Sequence, residues 1–132
     1  MKQAAERLKH AEEALEGGNY PYVIRQSQEA VELALKAVLR FVGIESPKWH
    51  DVGPVLKRNS DRFPQWFREK IPRLASISRR LRREREPSMY GDEETGTPPE
   101  ELYTREDAEE ALQSSKEVYE ACAKLLREYG LS

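Results

Sequence analysis

The sequence predicts an all-α protein, a bundle of helices that forms one domain. Apolar residues recur three and four positions apart along most of the chain, and no segment alternates apolar and polar residues as a strand would. A chain of 132 residues suits a single core. We therefore expect one helical domain over residues 1–132.

The composition excludes several classes of protein. The 22 basic and 24 acidic residues leave a net charge of −2, which argues against nonspecific coating of nucleic acid. The longest stretch without a charged residue, 17–24, is far shorter than the roughly 20 apolar residues that span a membrane. The first residues lack the apolar core of an export signal, and the single cysteine, Cys122, fits a reducing compartment. We expect a cytoplasmic protein.

The first helix is predicted over residues 2–16, where an apolar stripe includes Leu8 and Leu15. The glycine pair 17–18 ends this helix because glycine adopts the left-handed C-terminal conformation without a Cβ clash. Asn19 then caps the next helix.

The second helix, 20–42, is predicted to be the centre of the bundle. Between Ala30 and Val42, ten of thirteen residues are apolar, and the exceptions Glu32, Lys36 and Arg40 share one narrow stripe. A helix that is apolar on its other sides must be covered on several sides. This pattern also favours a subunit interface.

Two shorter helical segments follow. Asp51 is expected to cap a short helix that ends near residue 59. A further segment begins near residue 64, with Trp66 and Phe67 facing inward, and Pro72 is expected to kink or restart that helix. An apolar stripe then leads to residue 86.

Residues 87–103 are rich in proline and glycine and show no apolar period, so they are predicted to form one long loop. Loops of this length in small domains are often functional. Thr104 and Asp107 resemble a capping box at the start of a last helix that continues to about residue 129.

Familiar metal and catalytic motifs are missing from the sequence. His10, His50 and Cys122 do not supply the paired ligands of a zinc site. Segment 91–97 has the glycine spacing of a phosphate loop but lacks its lysine, and Pro98 prevents a helix from following directly. We expect no metal and no cofactor.

The strongest candidate site is a cluster of five arginines within seven residues: Arg79, Arg80, Arg82, Arg83 and Arg85. Tyr90 and Asp92 follow closely. Guanidinium groups bind phosphate oxygens and an aromatic ring can stack on a base, so the cluster predicts a site for a nucleotide or RNA. The alternative is structural, because cations also stabilise a helix C-terminus.

Four segments together resemble the HEPN domain family. They read SQEAVELALKAVL (27–39), WHDVG (49–53), YGD (90–92) and YTREDA (103–108). The similarity extends over about residues 4–126, and the first of these segments is the most specific.

The resemblance implies an up-and-down four-helix bundle with an additional short helix, which usually forms a homodimer. Such proteins often act beside a small nucleotidyltransferase, encoded next to them, in toxin–antitoxin pairs. Many are metal-independent RNases whose motif is an arginine, four to six residues, and then a histidine. In some, a tyrosine two residues after this histidine accepts a nucleotide from the partner enzyme.

The motif is incomplete in this chain. If Tyr90 is the tyrosine, Arg83 is the arginine and Ser88 stands in place of the histidine. A serine hydroxyl does not exchange protons near neutral pH as imidazole does, so the residues for phosphate binding remain while the catalytic group is missing.

Three hypotheses follow from these residues. The first is a noncatalytic module that docks a nucleotidyltransferase and binds a nucleotide or RNA phosphate at the following residues: Arg79, Arg82, Arg83, Arg85, Tyr90 and Asp92. The second is an RNase that uses Arg83 and Tyr90. The third is a purely structural homodimeric scaffold.

Overall fold

The computed structural model describes residues 1–46 and 51–129. Its helices are α1 (Lys2–Glu16), α2 (Tyr20–Phe41), α3 (Gly53–Arg58), α4 (Gln65–Arg83), α5 (Arg85–Tyr90), α6 (Pro99–Leu102) and α7 (Arg105–Glu128), with a 3-10 turn at Ser60–Arg62. Among these residues the only β-type pairing is one bridge between Asp92 and Thr97. The all-α prediction is confirmed. No helix in the described part of the chain is long and apolar enough to cross a bilayer.

Helix α2 lies at the centre of the bundle, as predicted. It packs most extensively against α1 and α7, and also contacts α4, α5 and α6. Val38 and Leu39 are completely buried. The side of α2 that is not fully covered includes more than its charged stripe, because Leu33, Ala37 and Phe41 are also only half-buried.

The predicted helix ends are confirmed at two caps. Asn19 Oδ1 accepts a hydrogen bond from the Tyr22 N–H at 3.4 Å at the start of α2. At the start of α7, Thr104 and Asp107 form a complete capping box, in which each side chain accepts from the other's backbone N–H. These bonds satisfy donors that the first helical turn leaves without partners.

Asp51 lies one position before the N-cap of α3, which is Val52. Its Oδ1 accepts from the Gly53 N–H at 3.1 Å and from the Ser78 hydroxyl at 2.9 Å, so it joins α3 to α4. The Trp49-His50 pair and the end of the preceding loop lie outside the described residues.

Helix α4 differs from the sequence-based expectation, because it does not restart at Pro72. One helix continues through this proline. Proline removes one helical hydrogen bond, but Phe67, Ile71 and Leu74 on the same helix are buried in the core. Their packing on both sides of the proline keeps the helix continuous. Trp66 is half-buried rather than fully inward, and its Nε1–H donates to Glu128 at 2.9 Å.

The prediction of one long loop over 87–103 is wrong. Helix α5 includes the first residues of this segment, and α6 lies near its end. Pro87 lies in the first turn of α5 and Pro99 is the first residue of α6. Backbone N–H groups in a first turn have no helical acceptor, so prolines there begin helices rather than prevent them.

Candidate functional site

An open cleft of about 690 Å³ lies where the end of α4, helix α5 with its following turn, α6 and α7 meet. Leu81, Ala111 and Ser114 contribute to its lining from α4 and α7. Three of the predicted site residues, Arg83, Tyr90 and Asp92, also line it. The fold therefore brings the end of the arginine cluster and the Tyr90–Asp92 segment to the same cleft.

Three arginines of the cluster bind other helices. The contacts are Arg80 with Glu110 on α7 at 3.2 Å, Arg82 with Glu32 on α2, and Arg85 with the Gln28 amide oxygen on α2 at 3.0 Å. The structural interpretation of the cluster therefore fits these three side chains. Arg82 and Arg85 do not line the cleft.

Arg79 and Arg83 behave differently from the other three. Both are exposed, and neither forms an ion pair or a side-chain hydrogen bond with any residue in 1–46 or 51–129. They are four positions apart on α4, so their side chains leave the same face of the helix. Of these two, Arg83 lines the cleft and Arg79, one turn earlier on α4, does not.

Tyr90 is the last residue of α5 and is 68 % exposed on the cleft wall. Gly91 directly after it has φ +79°, and a Cβ at this position would lie 2.2 Å from the Thr97 carbonyl oxygen. The chain then reverses through paired hydrogen bonds between Asp92 and Thr97, of 2.9 and 3.1 Å. Glycine is therefore required to turn the chain at the base of the exposed tyrosine.

Ser88 is buried, with only 5 % of its surface exposed. Its hydroxyl donates to the Arg85 carbonyl oxygen at 2.8 Å, and it does not line the cleft. The residue that the resemblance pairs with the motif histidine is therefore a small side chain buried in the bundle.

The cleft carries more negative than positive charge. Its lining includes two arginines, Arg80 and Arg83, and six carboxylates: Glu84, Glu86, Asp92, Glu93, Asp107 and Glu110. No group of three or more His, Cys, Asp or Glu in the described residues is arranged to hold a metal ion.

Tyr103 and Glu84 connect the two sides of the cleft. The Tyr103 hydroxyl donates to Glu84 Oε2 at 2.7 Å. Burial raises the pKa of Tyr103, and the neighbouring Glu84 carboxylate raises it further, because both disfavour the phenolate. This tyrosine therefore stays protonated at neutral pH and acts as a hydrogen-bond donor to the carboxylate.

Sequence reasoning did not identify Tyr103, Glu84 or Ser114 as part of the site. Ser114 lies on α7 three positions after Ala111 and four before Val118, a helical spacing that favours a core position over a site. Glu84 lies inside the arginine cluster, but its contact with Tyr103 depends on the approach of the segment after α6 to the end of α4. Ser114 joins the lining only through the packing of α7, so no local signal identifies this contact.

Comparison with known proteins agrees with this architecture. The HEPN domain matches residues 1–126 of the chain. A protein of Methanocaldococcus jannaschii named "Putative toxin MJ1304" is 34 % identical over 138 aligned positions, which cover 99 % of this chain and 89 % of the relative. No solved structure matches the chain significantly. On the extent of the domain match and of this similarity, the chain belongs to the HEPN domain family.

Proposed function

We propose that this protein is the noncatalytic HEPN component of a toxin–antitoxin pair. In this proposal it docks a small nucleotidyltransferase, and Arg79 and Arg83 bind a phosphate group of a nucleotide or RNA beside Tyr90. The relative whose name describes a toxin supports the biological setting. The exposed and unpaired state of Arg79 and Arg83 within the described residues is the observation that carries the binding site.

The arginine pair suits a single phosphate group. Residues four apart on a helix have Cβ atoms about 5–6 Å apart, so two guanidinium groups can approach one anion from the same side. Each presents a planar fork of donors to the phosphate oxygens. The exposed ring of Tyr90, which lines the same cleft as Arg83, offers a surface on which a base can stack.

The proposal of a noncatalytic module depends on Ser88. RNA cleavage by general acid–base catalysis requires groups that exchange protons near neutral pH. Ser88 is buried and its hydroxyl is engaged by a carbonyl oxygen. Arg83 can bind a phosphate, but a guanidinium stays protonated and does not act as a base.

Titration with AMP, followed by NMR, tests the phosphate site. We expect shifts at Arg79, Arg83 and Tyr90, and binding that weakens as salt is added. The double variant Arg79→Ala/Arg83→Ala should weaken binding by about tenfold or more.

The matched control is Lys57→Ala/Lys70→Ala, which removes the same charge from two exposed lysines on α3 and α4. This control should bind AMP as the parent does. Equal weakening in both double variants would show only a general charge effect and would refute the phosphate site.

An RNA degradation assay tests the absence of catalysis. The pure protein should leave structured and single-stranded RNA intact. Cleavage by the parent protein that Arg83→Ala abolishes would establish the RNase hypothesis and overturn the noncatalytic one. Cleavage that Arg83→Ala leaves unchanged would indicate contamination and would leave the proposal standing.

The proposal includes two protein partners, a second copy of the chain and the nucleotidyltransferase. The half-buried strip of Leu33, Ala37 and Phe41 on α2 supports a homodimer. Light scattering at micromolar concentration should give twice the chain mass of 15.3 kDa, and a monomer would overturn the dimer. Co-purification with the nucleotidyltransferase encoded beside this protein should recover both chains, and failure of the two to associate would overturn the docking role.

A further inference from the structure

We infer that one face of α3 and α4 binds the phosphate backbone of a nucleic-acid duplex. This basic face consists of Lys57 and Arg58 on α3 together with Arg68 and Arg79 on α4, all of which are exposed. The inference goes beyond the proposed function, because it requires neither the cleft nor a protein partner. Arg79 is the one residue that belongs to both sites.

The charge of the chain is unevenly distributed. The whole chain has a net charge of −2, but segment 53–83 contains ten basic and two acidic residues and carries +8. Three of these arginines are paired with carboxylates of other helices: Arg73, Arg80 and Arg82. Lys57 and Arg58 form no ion pair or side-chain hydrogen bond with another described residue. They therefore present a local surplus of positive charge to solvent.

Helix α4 carries two cations of the basic face along one side. Arg68, Ala75 and Arg79 follow one another at intervals of two turns and one turn, so they lie on the same side of the helix. Helix α3 lies beside this side, because a Cβ on Gly53 would be 3.1 Å from the Cβ of Ala75.

The chain from Asp51 to Phe63 runs along α4 in the opposite direction. Asp51 accepts a hydrogen bond from Ser78 at 2.9 Å, and the ring of Phe63 packs 4.9 Å from that of Phe67. Helix α3 lies between these two contacts, so its two cations lie beside the middle of α4.

The length of the basic face suits several phosphates. Arg68 and Arg79 are about 16 Å apart along the axis of α4. One strand of a B-form duplex presents about five phosphates over this length. Arg68 also donates to the Phe63 carbonyl oxygen at 3.1 Å, but a guanidinium has further N–H groups to offer a phosphate.

The basic face offers charge without a stacking surface or an apolar centre. The exposed large apolar side chains of the described residues are Met89, Tyr90 and Tyr129, and none of them lies on α3 or α4. Proteins that bind single strands combine backbone contacts with aromatic rings on which bases stack, and a protein interface has an apolar core. A duplex can be bound through its phosphates alone, which makes it the ligand that this face fits.

Fluorescence anisotropy of the full chain with a short RNA duplex, and with a DNA duplex of the same sequence, tests the inference. At least one duplex should bind more tightly than single-stranded oligo-uridine with the same number of phosphates, and the tighter duplex identifies the kind of nucleic acid. Lys57→Gln/Arg58→Gln should weaken duplex binding by about fivefold or more. It should also reduce the salt dependence, because about two fewer phosphates are neutralised.

The control variant is Lys2→Gln/Lys9→Gln, which removes the same charge from exposed lysines of α1, a helix that packs mainly against α2 and α7. It should bind each duplex within about twofold of the parent, because distant exposed charges are screened by salt. Equal weakening by both double variants would overturn the inference. So would the absence of duplex binding at low salt, or tighter binding of oligo-uridine or of an oligo-glutamate peptide than of either duplex.

The basic face and the AMP site can fail separately. Lys57→Gln/Arg58→Gln should bind AMP as the parent does, and Tyr90→Ala should leave duplex binding unchanged. If AMP does not bind while duplex binding depends on Lys57 and Arg58, the phosphate site at the cleft is refuted and the basic face is supported. If AMP binds and neither duplex does, the reverse holds.

Discussion

Arg82 near the end of α4 donates a hydrogen bond to the carboxylate of Glu32 on α2. The two side chains are 30 % and 19 % exposed, so this ion pair is largely shielded from solvent. Arg85 donates a hydrogen bond to Gln28, which lies on α2 one turn before Glu32. These contacts hold the end of α4 and the start of α5 against α2. They therefore determine the position of the part of the cleft that these two helices line.

Loss of the Glu32 charge should destabilise the fold. We expect Glu32→Gln to lower the free energy of unfolding by about 1–3 kcal/mol, because a shielded guanidinium loses its charged acceptor. Urea denaturation measures this change. The control is Glu110→Gln, whose partner Arg80 is exposed, and it should change stability by no more than about 0.5 kcal/mol. Equal effects of the two variants would contradict the structural role of the Arg82–Glu32 pair.

Gly91 should be far less replaceable than Gly96. Both have positive φ, but only at Gly91 would a Cβ collide with backbone, at 2.2 Å from the Thr97 oxygen. Gly96→Ala should cost about 1–2 kcal/mol for the left-handed conformation alone. Gly91→Ala should cost more and should disrupt the Asp92–Thr97 hydrogen bonds. Urea denaturation together with amide hydrogen exchange at Thr97 measures both effects, and equal costs would refute this close approach.

Introduction of a histidine at position 88 should not create an RNase. Ser88 is buried, so Ser88→His should overpack the site and lower stability by about 1–3 kcal/mol. The control Ser88→Ala removes only the hydrogen bond to the Arg85 carbonyl and should cost about 1 kcal/mol. Thermal unfolding and an RNA cleavage assay check these outcomes. A Ser88→His variant that is as stable as the parent and cleaves RNA would contradict the buried placement of this side chain.

Cys122 should make stability depend on pH in mildly alkaline solution. It is fully buried on α7, and burial raises the pKa of its thiol, whereas in the unfolded chain the pKa is about 8.5. Above that pH the unfolded chain loses a proton that the folded protein keeps, so stability is unaffected at lower pH and falls as the pH rises. Because of this group, the free energy of unfolding falls by up to about 1.4 kcal/mol for each pH unit above that value.

The variant Cys122→Ala should lack this component of the slope, whatever its stability at neutral pH. Urea denaturation of both proteins between about pH 7 and pH 10 provides the comparison. Parallel curves for the parent and the variant would show that the thiol does not titrate differently in the two states.

Much of the fold could be predicted because its signals are local. The Asn19 cap, the capping box at Thr104 and the apolar period of α2 each depend on residues within a few turns of one another. Two expectations that were based on prolines were wrong. At Pro72, buried neighbours on the same helix maintained α4, and at Pro87 the proline stands in a first helical turn. A local preference of a few kcal/mol is overruled when tertiary packing on both sides favours the helix.

The candidate site was predicted only in part. The density of arginines and the spacing of Arg83 and Tyr90 are visible in the sequence. The division between engaged and unpaired arginines is not, because it depends on acceptors on α2 and α7 such as Glu32 and Glu110. Helical spacing places a side chain on a face of its own helix, but does not identify what the opposite helix presents.

By itself, the sequence determined that this chain forms helices, that α2 is the central one, and that no histidine follows His50. The tertiary structure decided that Ser88 is buried, that Arg83 and Tyr90 line one cleft, and that carboxylates outnumber cations in its lining. The physical reason is the distance along the chain over which each kind of interaction acts. Helix formation and capping are set by neighbours in the chain, whereas the charge and exposure of a site are set by side chains that meet only after the helices pack.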